Sequence, residues 1–288
     1  MQIAAVVILY HPDDATLSNI KTYYNFVEKL YIYNNTEIPT EWQHKLQTLS
    51  KVEYYQDFKN EGIAKRLNRA AEAAIKDGFK WLLTMDQDTH FSQEAFTQYI
   101  HCLEKQENIN NIAASGTKFG RKPETVQPNC LPEEVETLIT SGMLLNLLLF
   151  KKIGGFDEAL FIDYVDHDYC TRCIMAGHSV LLFNNISIFH ELGKQVYRAS
   201  VKTLFLYKKK KIIHSPLRCY YMYRNMLYIE KKYEKTNKKF AKVTRRNTIG
   251  RINVCLLYGR EARKIWKYIK LAKADFRENK MGAIGKIL

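Results

Sequence analysis

Two aspartates, Asp86 and Asp88, close the stretch Trp81-Leu82-Leu83-Thr84-Met85-Asp86-Gln87-Asp88. An apolar run this short, entered from Gly78 and left through Thr89-His90, reads as a strand buried on both faces. Side chains two apart in extended backbone point the same way, so the two carboxylates are expected side by side with Gln87 turned aside. Paired hard oxygen donors at the carboxyl end of a strand suit Mg²⁺ or Mn²⁺, and such a metal suits a diphosphate. The plainer reading is a polar strand end entering a turn.

A second acidic group lies in Phe161-Ile162-Asp163-Tyr164-Val165-Asp166-His167-Asp168, where a helix is expected to begin. Negative charge is stabilised at a helix N-terminus, and Arg172 follows where it could pair with one of these carboxylates. Capping alone seldom needs three aspartates. His190 ends an apolar run and reads either as a hydrogen-bonded core residue or as a ligand. Cys170 and Cys173 form a C-x-x-C with no second pair to complete a zinc site, so they read as helix packing.

These groups need a scaffold, and the hydrophobic pattern supplies one. Ile3–Leu9, Lys29–Tyr33 and Val52–Tyr55 read as strands alternating with helical segments, one carrying Leu17, Ile20, Tyr24 and Val27, another Ile63, Leu67, Ala70, Ala71 and Ala74. Strands alternating with helices predict a parallel sheet with right-handed crossovers. Ser92 is placed to cap a helix with Phe96, Tyr99, Ile100 and Leu103 on one face, and Ile112–Gly116 is a further strand. Residues 117–137, with three prolines, read as a long loop. Val180–Phe183 and Ile186–Phe189 read as two last short strands, and residues 240–277 as one long helix.

The net charge of +14 is unevenly placed. Residues 1–193 carry 17 Lys and Arg against 25 Asp and Glu, whereas residues 194–288 carry 27 against 5. The basic part, with its Lys208–Lys211 block and aromatic stretch Arg218–Tyr233, suits phosphates, anionic lipid or nucleic acid. Six scattered cysteines without a secretory signal ahead of them suggest reduced thiols in a cytoplasmic protein. The longest apolar stretch, Met143–Phe150, is too short to cross a bilayer, so membrane contact is expected to be peripheral.

Taken together the motifs resemble the inverting family 2 glycosyltransferases of GT-A fold, within them the rhamnosyltransferase-like branch. The matching stretches are Tyr10-His11-Pro12, Asn60-Glu61-Gly62-Ile63-Ala64 with Leu67-Asn68, the Asp86-x-Asp88 strand and Ser141-Gly142. They continue through Ile153-Gly154-Gly155-Phe156-Asp157-Glu158, the Phe161–Asp168 stretch with Arg172, His190-Glu191-Leu192-Gly193, and Arg218 with Tyr220-Tyr221 and Arg224-Asn225. They run in order over residues 3–225, about four fifths of the chain.

The resemblance implies a Rossmann-like, mostly parallel α/β sheet flanked by helices, with a basic helical extension. The implied division is a nucleotide-sugar-binding catalytic domain at 1–193 and a basic, mainly helical region at 194–288. It also implies that Asp86 and Asp88 hold Mg²⁺ or Mn²⁺ and the donor diphosphate, with His190 within reach of the metal. Asp166 falls at the catalytic base, the second residue of a pair usually written Glu-Asp. Here Val165 precedes it, and Asp163 is the candidate to take the missing carboxylate's place. Asp168 and Arg172, with Ser141 and Gly142, match the substrate side. His11, Asn34, Asn35 and Asp57 match the nucleotide pocket. The donor implied is a nucleotide diphosphate sugar, dTDP-rhamnose favoured over glucose, galactose or galactofuranose donors. The acceptor implied is a growing cell-surface polysaccharide or lipid-linked glycan at the inner face of the cell membrane. An anionic membrane surface or a second subunit would then account for the basic region. The rival readings are a nucleotidyltransferase, which would want a Gly-rich basic loop where Tyr10-His11-Pro12-Asp13 stands, and a non-catalytic scaffold binding nucleic acid or membrane. Nucleic acid is not the expected partner, since a strand end bearing paired carboxylates has no purpose there.

Overall fold

The computed structural model describes residues 1–46, 48–120, 125–190, 195–198 and 208–285. The chain divides into two compact units, Met1–Glu158 with Val165–Glu191, and Ala159–Tyr164 with Leu192–Leu288.

In the first unit the expected alternation is realised as β1 (Ile3–Leu9), α1 (Asp14–Tyr24), β2 (Lys29–Asn34), a short α2 (Trp42–Lys45), β3 (Val52–Gln56), α3 (Gly62–Lys76) and β4 (Trp81–Asp86). The chain continues through β5 (Thr89–His90), α4 (Gln93–Glu104), β6 (Ile112–Gly120), β7 (Thr125–Val126), β8 (Pro132–Glu134), β9 (Met143–Asn146), α5 (Leu147–Ile153), α6 (Val165–Met175) and β10 (Ser179–His190). The main sheet runs β3-β2-β1-β4-β9-β6-β10-β5, with β7 and β8 also paired to β10. β1 to β4 are mutually parallel, and β9 is antiparallel between β4 and β6. β1 and β4 carry almost no exposed side chain because helices cover both faces. The core beneath is Ile3, Val7 and Leu83 with Phe91, Phe96, Tyr99 and Phe183. Asp13 and Ser92 cap α1 and α4 by accepting from the Thr16 and Ala95 amides.

The two strands expected at 180–183 and 186–189 are one strand, β10, whose register against β6 shifts between Phe183 and Ser187. Asn185 stabilises that irregularity from within: it is buried, donates to the Gln127 carbonyl at 3.0 Å and accepts from the Leu131 amide at 3.2 Å. The stretch 117–137 is not a plain loop, because β6 runs to Gly120 and β7 and β8 pair with β10. Finally, Cys102 on α4 and Cys130 form a disulfide rather than two free thiols; Cys170, Cys173, Cys219 and Cys255 are free and buried.

The second unit has a hairpin of β11 (Gln195–Arg198) and β12 (Lys209–Ile212), then α7 (Pro216–Tyr233), α8 (Lys238–Tyr258) and α9 (Ala262–Arg277). Lys209–Lys211 of the basic block therefore lie in a strand. The long helix expected over 240–277 is two helices, since the α8 ladder stops at Gly259, whose extended backbone breaks the helical run. Ser215 caps α7, with Pro216 at the position where a missing N–H costs nothing. α7 packs on α8 and α9 through Cys219, Ile252, Cys255, Ile265 and Ile269, and through Tyr220, Tyr221, Tyr268 and Ala272 together with Phe161. Among the described residues no helix is long and apolar enough to cross a membrane.

Candidate active site

Because β1 to β4 are parallel, their carboxyl ends share one edge, and antiparallel β9 brings Ser141-Gly142 to that edge beside β4. Asp86 is the last residue of β4 and pairs with Ile8 of β1; Asp88 lies in the two-residue turn leading to β5. Strand alternation is thus not what presents this pair. A turn does so, and its neighbours pin it. Gln87 accepts from the Tyr10 amide at 2.8 Å and donates to the Tyr10 carbonyl at 3.2 Å, while its own carbonyl accepts from the Asn19 amide group at 3.0 Å. Ser141 accepts from the Asp86 amide at 3.1 Å and donates to the Thr89 hydroxyl at 2.7 Å, so it grips the turn on both sides. Burial and the nearby Asp86 charge push the Tyr23 hydroxyl well above its ordinary pKa. β5 pairs with the end of β10, which places the His190 backbone opposite Thr89. The His190 side chain lies outside the described residues.

Ser141 and Gly142 therefore support the aspartate turn from inside the fold, rather than lining the substrate side as the resemblance implied. Ser141 is 1% exposed, and the Gly142 amide donates to Thr84 at 2.8 Å. Gly142 has φ +69°, and a Cβ there would stand 2.6 Å from Ile188 Cδ1. Gly142→Ala is expected to destabilise the protein by about 1–3 kcal/mol, from the left-handed backbone and the overlap together. Denaturant unfolding checks this, and a wild-type midpoint would mean that the Ile188 side chain yields freely.

The residues matched to the nucleotide pocket divide in the same way. Asn34 is fully buried, donates to Thr40 and Tyr54 at 3.1 and 2.9 Å, and accepts from the Thr36 amide. Asn35 donates to the Gly62 carbonyl and accepts from Arg66 Nε at 2.7 Å. Both side chains are spent on the loop after β2, which corrects their assignment as direct ligand contacts. Arg66, unnoticed in the sequence, is the hub: fully buried, it also reaches Asp57, Glu61 and the Lys59 carbonyl and lies over the Tyr33 and Tyr55 rings. Burial works against the ionised Asp57, but the Arg66 hydrogen bond and charge outweigh it and hold its carboxyl below the usual range. His11 is different. It is exposed, has φ +46°, and with Pro12, Thr36, Ile38, Thr40 and Trp42 borders a cleft of about 310 Å³.

The acidic group at 163–168 also separates into roles. Asp168 is fully buried and ion-paired to Arg172 Nε at 2.8 Å; the same guanidinium donates to the Ile153 and Gly155 carbonyls. Asn68 completes that brace, accepting from the Phe156 amide at 2.8 Å and donating to the Phe156 carbonyl. A Cβ on Gly155 would sit 2.9 Å from Asn68 Oδ1. Asp168 and Arg172 thus hold the Gly154-Gly155 turn, correcting their expected contact with substrate. Asp163 belongs to the second unit, where Arg218 takes it with two nitrogens at 3.2 and 2.9 Å. That pairing gives Asp163 a structural part in the segment before α6. Asn225 anchors the same segment through the Ile162 and Asp163 carbonyls, and Tyr164 meets Thr248.

Asp166 remains as the presented carboxylate, in the first turn of α6 with a side chain 16% exposed. Its Oδ1 accepts from the His167 amide at 2.9 Å and faces His167 Nδ1 at 2.8 Å. Burial pushes this carboxyl up, but the His167 charge and hydrogen bonds outweigh it and lower its pKa below the ordinary value. His167 was not singled out in the sequence; its place directly after Asp166 was the available signal. Since α6 leads into β10 and packs on it, its N-terminus lies toward the edge where β10 ends.

A hexacoordinate Mg²⁺ typically takes one or two protein carboxylates and fills the rest with phosphate oxygens and water. Asp86 and Asp88, at the end of β4 and in the turn after it, could supply that number of carboxylates. Among the described residues no three His, Cys, Asp or Glu side chains converge as a larger ligand group.

No family model matches the chain. It is 29% identical over 252 residues to the dTDP-rhamnosyl transferase RfbF of Shigella flexneri, covering 80% of each. Among solved structures it resembles S. aureus TarS, with TM-score 0.56 and 12% identity over 97% of this chain and 54% of that one. The 1-349 portion of TarS in complex with UDP-GlcNAc aligns at TM-score 0.52 and 13% identity over 97% and 93%. GalNAc-T7 with UDP, GalNAc and Mn²⁺ aligns at 0.52 and 9% over 66% of this chain and 44% of that one. The mostly parallel sheet, the ordered motifs and these similarities agree: the chain is a glycosyltransferase of GT-A fold, similar in sequence to a dTDP-rhamnosyl transferase.

Proposed function

We propose that the protein transfers a sugar from a nucleoside diphosphate sugar to a hydroxyl of a growing glycan, with inversion at the anomeric carbon. The observation that carries this reading is the Asp86–Asp88 turn, held by Gln87 and Ser141 at the carboxyl edge of a parallel sheet. Asp86 and Asp88 would hold Mg²⁺ or Mn²⁺, which when bound neutralises charge on the departing nucleoside diphosphate. Asp166 accepts the proton of the acceptor hydroxyl as its oxygen bonds to the anomeric carbon. His167 keeps that carboxylate ionised and oriented. A single base suffices for inversion, and no second nucleophile is invoked. The similarity to RfbF favours dTDP-rhamnose as donor, and a polysaccharide or lipid-linked glycan as acceptor is the matching proposal.

Isothermal titration in Mg²⁺ against dTDP-rhamnose, dTDP-glucose and UDP-GlcNAc tests the donor assignment. Binding of dTDP-rhamnose at least tenfold tighter than of the others is expected. Preference for a UDP-sugar would retain the transferase and overturn the sugar. Binding of none would overturn the donor class.

A further inference from the structure

We infer that the outward face of α9 is a docking surface for an anionic phospholipid bilayer. This goes beyond the transfer reaction and stands on separate residues. α9 buries Ile265, Tyr268, Ile269 and Ala272, whose spacing of three and four defines one stripe turned toward α7. The opposite face carries Arg263, Trp266, Lys267, Lys270, Lys273 and Arg277, all exposed. It holds no acidic residue: Asp275 lies to the side and accepts from the Tyr220 hydroxyl at 2.7 Å. The ion pairs described for this unit use Arg218, Arg245 and Lys280, not the cations of this face.

The tryptophan gives the face its character. Trp42 and Trp81 are 4% and 6% exposed, whereas Trp266 is 55% exposed in the middle of the cations. Leu257, in the last turn of α8, is 74% exposed. A soluble partner surface of acidic residues would satisfy the lysines and arginines but offer the indole nothing apolar. A bilayer offers both at the right depths: phosphates meet the cations, the aliphatic stems of Lys and Arg lie along the boundary, and the indole settles at the headgroup level. The charge imbalance of residues 194–288, 27 basic against 5 acidic, complements an anionic leaflet.

The full chain is mixed with vesicles of phosphatidylcholine alone or with phosphatidylglycerol added, and scored by flotation and by quenching of tryptophan emission with brominated lipid. Co-flotation with anionic vesicles only, about tenfold weaker at high salt, and quenching that disappears in Trp266→Ala are expected. Lys267→Glu/Lys270→Glu should lower partitioning by about tenfold or more while leaving the thermal midpoint in place. Should that pair unfold, Lys270→Gln alone gives the same test with a smaller loss. Equal flotation with neutral vesicles, or anionic binding that none of these changes alters, overturns the proposal. So does tighter salt-sensitive binding to RNA than to vesicles with no bromolipid quenching, which would point to nucleic acid instead.

Discussion

Asp166→Asn is expected to bind donor as the wild type does and to transfer sugar about 10²-fold or more slowly. The substitution keeps the shape and removes the basicity. The amide oxygen can still accept from the His167 amide that Oδ1 meets at 2.9 Å, so the first turn of α6 should persist. The residues proposed to hold the donor are on β4 and in the turn after it, and they should not register the change. The pH dependence follows from the sign of the shift. Asp166 acts as a base only when ionised, and its pKa lies below the ordinary carboxylate value. Transfer should therefore be fully supported by this group at neutral pH and should decline only as pH falls through the lowered pKa. A low pKa costs intrinsic basicity, and that is tolerable because the attacking hydroxyl becomes acidic as its bond to carbon forms. Asp163→Asn, by contrast, should act through stability, since it loosens the Arg218 pairing. If Asp163→Asn abolishes transfer in a folded protein while Asp166→Asn does not, the base has been assigned to the wrong aspartate.

Asp88→Ala should have an effect of comparable size on a different quantity. With one of the two carboxylates proposed to hold the metal gone, donor affinity in Mg²⁺ should fall by about 10² or more, a loss of roughly 3 kcal/mol. The fold should survive, because the turn is held chiefly by the Gln87–Tyr10 pair and by Ser141 on the Asp86 amide. Titrating donor into wild type and variant, each with metal and with chelator, separates the cases. Chelation should bring the wild type to the level of the variant and leave the variant almost unmoved. Wild-type donor affinity in excess chelator would remove the metal from the account.

Much of the scaffold was readable because burial on both faces leaves a strong mark. Ile3–Leu9 emerges as an uninterrupted apolar run and Trp81–Met85 as one broken only by Thr84, and most of the helix stripes over α3 and α4 are buried. Strand direction is not written in such a pattern, so the antiparallel placement of Met143–Asn146 had no signal, although it is what brings Ser141 to the Asp86 amide. The motif residues were legible as a set, but not their division of labour. Asn34, Asn35, Asp168 and Arg172 are polar residues of the kind that meet ligands, and long-range hydrogen bonds engage them in the fold instead. Arg66 was overlooked for the opposite reason: an arginine among alanines on a helix looks exposed, and only the convergence of Asn35, Asp57 and Glu61 makes it a buried hub. Cys102 and Cys130 are 28 residues apart, and nothing in that spacing announces a pair drawn from α4 and the segment between β7 and β8.

The most direct test of the transferase assignment is release of the nucleoside diphosphate from dTDP-rhamnose in Mg²⁺, followed with wild type, Asp88→Ala and Asp166→Asn, with a crude glycan fraction as acceptor. Acceptor-dependent release by the wild type alone is expected, with Asp166→Asn still binding the donor and Asp88→Ala failing to. Release that is unchanged in both variants, or donor binding with no release under any acceptor or metal condition, would contradict it.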